Sequence, residues 1–328
     1  MIKLKPLVLL FSAVILTSCG KSDTKPLVLT SVGPVHSLTS ALLADTSVEV
    51  KNLPDEAQAL ADQASWFSQE SAGLAGSFDE AGAVVSISSL WSDPLASSAQ
   101  QANSDIINID ASAFSSGAVT AHSTGEASPY FWLSPTRVTE SSKMVADQLA
   151  ELYPDYADQI QANQQELAAQ MSSAASDFEG VKTEHDFKVF GLSDAFAYMT
   201  TDLDIPVVGY LVKADADWTV DDHGEYIKDV YALGQPTVIH NRDPDREIGL
   251  STTIGGGSLI VLNDYESSTD NIVAISTGNL NTINTSLTTP RGMGGMGGGG
   301  GGGGAGGMGG GEFGGGGEFG GGGDGAGR

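Results

Sequence analysis

Residues 153–171 read YPDYADQIQANQQELAAQM, and the pattern that they begin continues to residue 178. Apolar residues recur there at spacings of seven, four, three and four, which gives an otherwise polar helix one apolar stripe. The stripe consists of Ile160, Leu167, Met171, Ala174 and Phe178. Pro154 and Asp155 supply a helix start signal. A helix of this length predicts a strut that packs along two lobes.

Short apolar runs with helical patterns between them lie on both sides of this strut. The runs before it are PLVLTSV (26–32), SVEVKNL (47–53), AVVSIS (83–88) and DIINID (105–110). The runs after it are FKVFGLS (187–193), PVVGYL (206–211), TVIHN (237–241) and SLIVLND (258–264). Such runs predict parallel sheets that are buried on both faces. We therefore expect an α/β fold whose two lobes are joined by a long rigid helix, with a ligand cleft at the carboxyl ends of the strands.

The amino terminus has the layout of a secretory signal. Lys3 and Lys5 precede an apolar run over residues 7–16, which is too short to span a membrane. The following Leu-Thr-Ser-Cys resembles a bacterial lipobox that ends at Cys19, the only cysteine of the chain. We predict a lipoprotein signal peptide over residues 1–18, lipidation of Cys19, and export to the periplasm or cell exterior. Membrane contact is then made through the lipid anchor alone, and no disulfide forms within the chain.

Domain boundaries follow from these features. We predict an N-terminal lobe over residues 19–128, a loop and linker helices over 129–180, a C-terminal lobe over 181–290, and a tail over 291–328. Glycine dominates the tail, which predicts disorder because almost nothing in it can form a core.

Charge and missing motifs exclude several functions. The chain has 15 basic and 41 acidic residues, a formal net charge of −26, which disfavours binding to nucleic acid. The acidity either draws cations to a cleft or reflects solubility or a salty habitat. The chain has no G-x-S-x-G elbow, no His-Glu-x-x-His pair, no nucleotide loop, and no cysteine that could act as a nucleophile after signal cleavage. We therefore expect no enzymatic activity.

Residues 128–135, SPYFWLSP, place three aromatic residues between two prolines just before a helix, which predicts a loop with a specific task. This segment resembles the Asp-Pro-His-x-Trp-x-x-Pro motif of the metal-binding solute receptors of ABC transporters. Residues 26–54, the strut with its Asn163, and LSDAFAYMTTDLDIPVVG (192–209) resemble further parts of that family in the same order. The resemblance implies a receptor, monomeric in our expectation, that carries zinc or manganese to an ABC permease.

The residues that the family uses as metal ligands are absent. Tyr130 and Ser193 stand where the resemblance implies histidines, and no histidine lies between His36 and His122 to serve as the first ligand. The acidic ligand falls on Asn263 or Asp264. Because phenol and hydroxyl groups are poor substitutes for imidazole, tight zinc binding at these positions should be lost.

A rebuilt site remains an alternative. A cation site forms in the cleft if His122, His240 and Asp264 converge there. If they do not, His122 is a solvated loop residue, His240 is hydrogen-bonded at a strand end and Asp264 caps a helix. Two hypotheses follow. The first is a lipid-anchored solute-binding protein with an eroded or altered metal site, and the second is a degenerate paralogue without metal that acts as an interaction or structural lipoprotein.

Overall fold

Two parallel sheets of four strands each flank the central helices of the computed structural model, which describes residues 26–55 and 58–288. The strands are β1 Leu27–Thr30, β2 Glu49–Asn52, β3 Ala81–Ser86, β4 Ile107–Asp110, β5 Val189–Gly191, β6 Val207–Tyr210, β7 Thr237–His240 and β8 Ser258–Val261. The helices are α1 Gly33–Leu42, α2 Leu60–Glu70, α3 Ala75–Glu80, α4 Pro94–Ala102, α5 Pro135–Leu152, α6 Ala157–His185, α7 Ala197–Asp202, α8 Val220–Ala232, α9 Arg246–Ile254 and α10 Ile272–Thr288. The predicted signal peptide, Cys19 and the glycine-rich tail lie outside the described residues.

The two sheets share one topology. Their strand orders are β2-β1-β3-β4 and β6-β5-β7-β8, and all neighbouring strands pair in parallel. In each sheet the chain reverses its direction of winding between the two central strands, and ligands of such sheets bind just beyond the carboxyl ends of these strands. The α/β class and all eight predicted strands are confirmed, although most strands are shorter than the apolar runs that predicted them.

Helix α6 is the predicted strut. It has 29 residues, a length of about 43 Å at the usual rise per residue. Ile160, Leu167, Met171 and Phe178 of the predicted stripe are buried, whereas Ala174 is only half-buried. The helix begins at Ala157 rather than at Pro154, because residues Pro154–Tyr156 form a 3-10 turn.

One continuous core joins the two sheets through the long helices. It extends from Val28 in β1, past the buried face of α6, to Ile239 in β7. Asn163 of α6 donates from Nδ2 to the carbonyl oxygens of Leu42 and Ala44, at 3.0 and 2.9 Å, and so satisfies the carboxyl end of α1. Among the described residues, none of the helices has both the length and the apolar character needed to cross a bilayer.

Candidate functional site

The aromatic loop is fixed by Trp132. This side chain is fully buried and donates from Nε1 to the carbonyl oxygen of Asp264 at 2.8 Å, while its own carbonyl accepts from Ser276 Oγ at 2.8 Å. Ser134 then caps α5 by accepting from Arg137 N at 3.3 Å, and Pro135 occupies the first turn, where its missing N–H costs nothing. The two prolines thus belong to a loop and a helix start, and Tyr130 is carried into the cleft region.

Tyr130 is engaged as a hydrogen-bond donor. Its ring packs edge-on against Trp132, with 5.4 Å between the ring centroids, and its hydroxyl bonds to the carboxylate of Glu266. Burial raises the pKa of Tyr130, and the nearby charges of Glu266, Asp264 and Asp194 raise it further. The phenol therefore stays protonated at neutral pH and donates its proton instead of offering an anionic oxygen to a metal.

Glu266 crosses from the second lobe to the first. Its Oε1 accepts from the backbone N–H of Leu60 at the start of α2, where the helix dipole favours a negative charge. Burial raises the pKa of the Glu266 carboxyl, with smaller contributions in the same direction from Asp264 and Asp62. Glu266, Tyr130 and the amino end of α2 thus form a bridge across the cleft, which we call the Glu266 bridge.

Asn263 and Asp264, the two candidates for the acidic ligand position, have different tasks. The backbone of Asn263 exchanges two hydrogen bonds with the side chain of Asn279, at 2.8 and 2.7 Å, and its own Oδ1 accepts from Tyr265 N. Asp264 accepts from Asn241 Nδ2 at 3.0 Å and from Glu266 N at 3.2 Å. Asp264 is thus a second carboxylate near Tyr130, after Glu266, and it organises a loop eight residues before α10 instead of capping that helix.

Ser193 follows β5 at the centre of the second sheet. It is 9 % exposed, and its Oγ accepts from Ala195 N at 3.2 Å, so that it caps the 3-10 turn Asp194–Phe196. This hydroxyl is used in local structure, as Tyr130 is used in the Glu266 bridge.

His240 is held within the second lobe. It is 2 % exposed; its Nδ1 accepts from Asn241 N at 2.8 Å and its Nε2 lies 3.4 Å from Asp215 Oδ1. Asp215 also accepts from Arg242 at 2.7 Å, which lowers its pKa against the effect of its burial. The side chain of Asn241 lies between His240 and Asp264: its Oδ1 is 3.0 Å from His240 Nδ1, and its Nδ2 donates to Asp264 Oδ2 at 3.0 Å.

His122 lies on an exposed loop with its ring stacked on Tyr210, at a centroid distance of 4.1 Å and an interplanar angle of 17°. Residues 26–55 and 58–288 contain no group of three or more His, Cys, Asp or Glu side chains arranged to hold a metal ion. In this structure His122, His240 and Asp264 each have separate protein partners.

His36 contributes to the edge of the first sheet. Its Nδ1 lies 3.3 Å from Thr30 Oγ1 at the end of β1, and burial lowers its pKa. Thr30 Oγ1 donates to Asn52 Oδ1 at 3.1 Å. Sequence reasoning missed Glu266, whose only signal was an acidic residue two positions after Asp264 in a polar loop.

Comparison with known proteins gives a family match over most of the chain. The model of the family described as "Zinc-uptake complex component A periplasmic" matches residues 28–286. No curated protein sequence matches significantly.

Solved structures share the fold at low sequence identity. The SBP FpvC of P. aeruginosa in complex with Ni2+ has a TM-score of 0.64 and 17% identity, over 80% of this chain and 97% of its own. The metal-dependent lipoprotein YcdH from Bacillus subtilis has a TM-score of 0.65 and 15% identity, over 79% and 98%. The Zn(II)-bound ZnuA-like domain of AdcA from Streptococcus pneumoniae has a TM-score of 0.62 and 18% identity, over 80% and 99%. These likenesses concern the fold.

Proposed function

The chain belongs to the family of periplasmic A components of zinc-uptake complexes, and on that premise we propose that it is a lipid-anchored, extracytoplasmic solute-binding protein with an altered metal site. Its partner is an ABC permease, to which it presents a ligand captured between the lobes. It has no enzymatic activity in this proposal. The observation that carries the altered site is the Glu266 bridge, in which Tyr130 donates a proton at a position where the family resemblance implies an imidazole.

The chemistry of the groups that stand at the ligand positions argues against tight binding of transition metals. Zinc prefers imidazole, thiolate and carboxylate ligands in a tetrahedral shell. Tyr130 and Ser193 supply a protonated phenol and a hydroxyl that already accepts a backbone N–H. A cation at this place must therefore break the Glu266 bridge and gains no imidazole in return.

Calorimetric titration with zinc, manganese and nickel tests the proposal. We expect no saturable binding in the micromolar range for the wild type or for His240→Ala, because His240 is already paired with Asp215. The restored variant Tyr130→His/Ser193→His should gain binding with proton release, since two imidazoles return to the cleft. A submicromolar dissociation constant in the wild type that His240→Ala abolishes would show that the site has been rebuilt around His240.

A second candidate function is an interaction or structural lipoprotein that transports nothing. The Glu266 bridge favours it too, because the protein's own carboxylate joins the two sides of the cleft. A gene neighbourhood that encodes an ABC permease and ATPase supports the transport function, and its absence supports the second candidate.

Membrane attachment has its own test at Cys19. We expect Cys19→Ala to move the protein out of the membrane fraction, and globomycin, which inhibits the lipoprotein signal peptidase, to leave an unprocessed precursor of the wild type. The diacylglycerol group that is attached to a lipobox cysteine carries two acyl chains, and two chains anchor a protein far more firmly than one chain does. Unchanged processing and unchanged fractionation in both experiments would contradict lipid anchoring.

A further inference from the structure

A segment of the first lobe lies across the second lobe. It comprises residues 114–128, follows β4 and leads to the aromatic loop, and we call it the strap. Its outer part, residues 120–127, is a small closed hairpin: Thr120 and Ala127 form an antiparallel bridge, and Ser128 N donates to the carbonyl oxygen of Val119 at 2.8 Å. Inside it, Ala121 N donates to Glu126 O at 2.7 Å. The outer part is therefore held in shape by its own backbone hydrogen bonds.

The base of the strap is firmly attached. Glu140 of α5 accepts hydrogen bonds from the backbone N–H and the hydroxyl of both Ser115 and Ser116. Arg137 donates from Nη1 to the carbonyl oxygen of Gly117 at 2.9 Å. Phe114 is buried against Phe131, with 5.3 Å between ring centroids. Several elements thus hold the base.

The tip depends on one carboxylate. Within the described part of the chain, the hydrogen bonds that residues 120–127 make to the rest of the protein all end on Asp194. His122 N donates to Oδ1 at 2.9 Å, Ser123 N donates to Oδ2 at 3.0 Å, and Ser123 Oγ donates to Oδ2 as well. The ring of His122 also stacks on Tyr210. Both receiving residues lie at the carboxyl edge of the second sheet.

The position of the tip connects it to the cleft. Asp194 directly follows Ser193, which stands where the family resemblance implies a histidine, and the charge of Asp194 acts on the hydroxyl of Tyr130. Val119 and Ser128 separate the tip from the base. Ser128 N donates to the carbonyl oxygen of Val119 at 2.8 Å, Val119 packs against the core, and Ser128 is fully buried, so the attached part of the strap ends at this pair.

We propose that residues 120–127 form a lid at the cleft and that Asp194 is the latch that holds this lid down. The lid lies down while Ser123 and His122 are bonded to Asp194, and it opens beyond the Val119–Ser128 pair when that carboxylate is lost, while the base stays attached to Glu140 and Arg137. The latch works whatever the cleft binds, so it does not depend on the proposed function.

Hydrogen–deuterium exchange on the full exported chain tests the latch. In Asp194→Ala, the amides of peptides that cover residues 118–127 should exchange about tenfold faster or more, because charge-assisted hydrogen bonds are lost at a segment with few other contacts. Asp194→Asn should give a smaller increase, since the amide keeps one acceptor oxygen. Tyr210→Ala, which leaves Asp194 and its 3-10 turn unchanged, should also accelerate exchange at the tip.

Glu140→Gln is the matched control, because Glu140 holds two consecutive serines at the base as Asp194 holds His122 and Ser123 at the tip. It should accelerate exchange at residues 115–117 and leave the tip at the rate of the wild type. Equal exchange at the tip in the wild type and Asp194→Ala would overturn the proposal. So would acceleration of the tip by Glu140→Gln to the same extent as by Asp194→Ala, because both results mean that Asp194 is no specific latch.

Discussion

Asp93 is a buried carboxylate at the amino end of α4, with no cationic partner among its described contacts. It is 5 % exposed and accepts from Leu95 N at 2.9 Å and from Ser31 Oγ at 3.3 Å. Burial raises its pKa to about 6, against the opposing effect of these hydrogen bonds. The folded protein therefore binds this proton more tightly than the unfolded chain does. The stability that the group contributes is complete below the unfolded pKa of 3.8 and is lost as pH rises through about 6.

We predict that Asp93→Asn removes this pH dependence. Between pH 4 and pH 7, the wild type should lose about 2 kcal/mol of unfolding free energy through this group, because one pKa unit corresponds to 1.36 kcal/mol and the unfolded group is already partly ionised at pH 4. The variant keeps an acceptor for Leu95 N and should lack that loss. Urea unfolding at pH 4, 5, 6 and 7 measures it, with the exposed Asp270→Asn as control. Parallel pH profiles for the wild type and Asp93→Asn would contradict the assignment.

At the scale of the elements, an ion pair joins α5 to α7. Arg137 donates from Nε and Nη2 to both oxygens of Asp202, at 2.9 and 3.0 Å, and its guanidinium lies 5.2 and 5.1 Å from the ring centroids of Phe114 and Tyr198. Ser134 Oγ, which caps α5, also donates to Asp202 at 2.7 Å. The side chains of Arg137 and Asp202 are only 7% and 8% exposed, so that both charges are largely removed from water.

Arg137→Met should therefore cost about 3–5 kcal/mol of unfolding free energy, because it leaves the buried Asp202 without its counter-charge. Lys143→Ala is the control, because Lys143 forms an exposed ion pair with Asp147, four residues further along α5. It should cost about 0.5 kcal/mol or less. The double variant Arg137→Met/Asp202→Leu should recover much of the loss, since the buried carboxylate of Asp202 is then removed together with its partner; Glu140, which lies 3.6 Å from Arg137, keeps its bonds to Ser115 and Ser116. Denaturant unfolding decides the matter: a cost below about 1 kcal/mol for Arg137→Met would mean that the pair is not a structural link.

Local pattern was enough to predict the elements, but not the contacts between them. The eight strands and the strut followed from apolar periodicity, which is a property of neighbouring residues. The later start of α6 was missed, because Pro154 begins a 3-10 turn as readily as an α-helix. Tyr130, Ser193 and Asp264 came from the family resemblance. The bond from Leu60 to Glu266 joins residues 206 positions apart, and such a pairing has no signal in the sequence around either partner.

At the scale of the whole molecule, negative charge exceeds what the cations can neutralise, since the net charge is −26. Several carboxylates are held by hydroxyl and backbone N–H groups instead of by lysine or arginine. Asp110, for example, accepts from the N–H and the hydroxyl of both Ser89 and Ser112. Such bonds satisfy the oxygens and leave the negative charge in place, so the carboxylates still repel one another across the surface.

We predict that added salt stabilises the fold. The screening length falls from about 30 Å at 0.01 M salt to about 8 Å at 0.15 M, which suppresses repulsion between carboxylates on different elements. A gain of about 1–2 kcal/mol corresponds to a rise in Tm of roughly 3–6 °C for a domain of this size. Thermal unfolding at pH 7 in sodium chloride measures the rise, and tetramethylammonium chloride at equal ionic strength should give the same result, because screening does not depend on the identity of the cation. A Tm that stays constant or falls would show that the carboxylates do not repel one another appreciably, and a rise with sodium alone would point to a specific cation site.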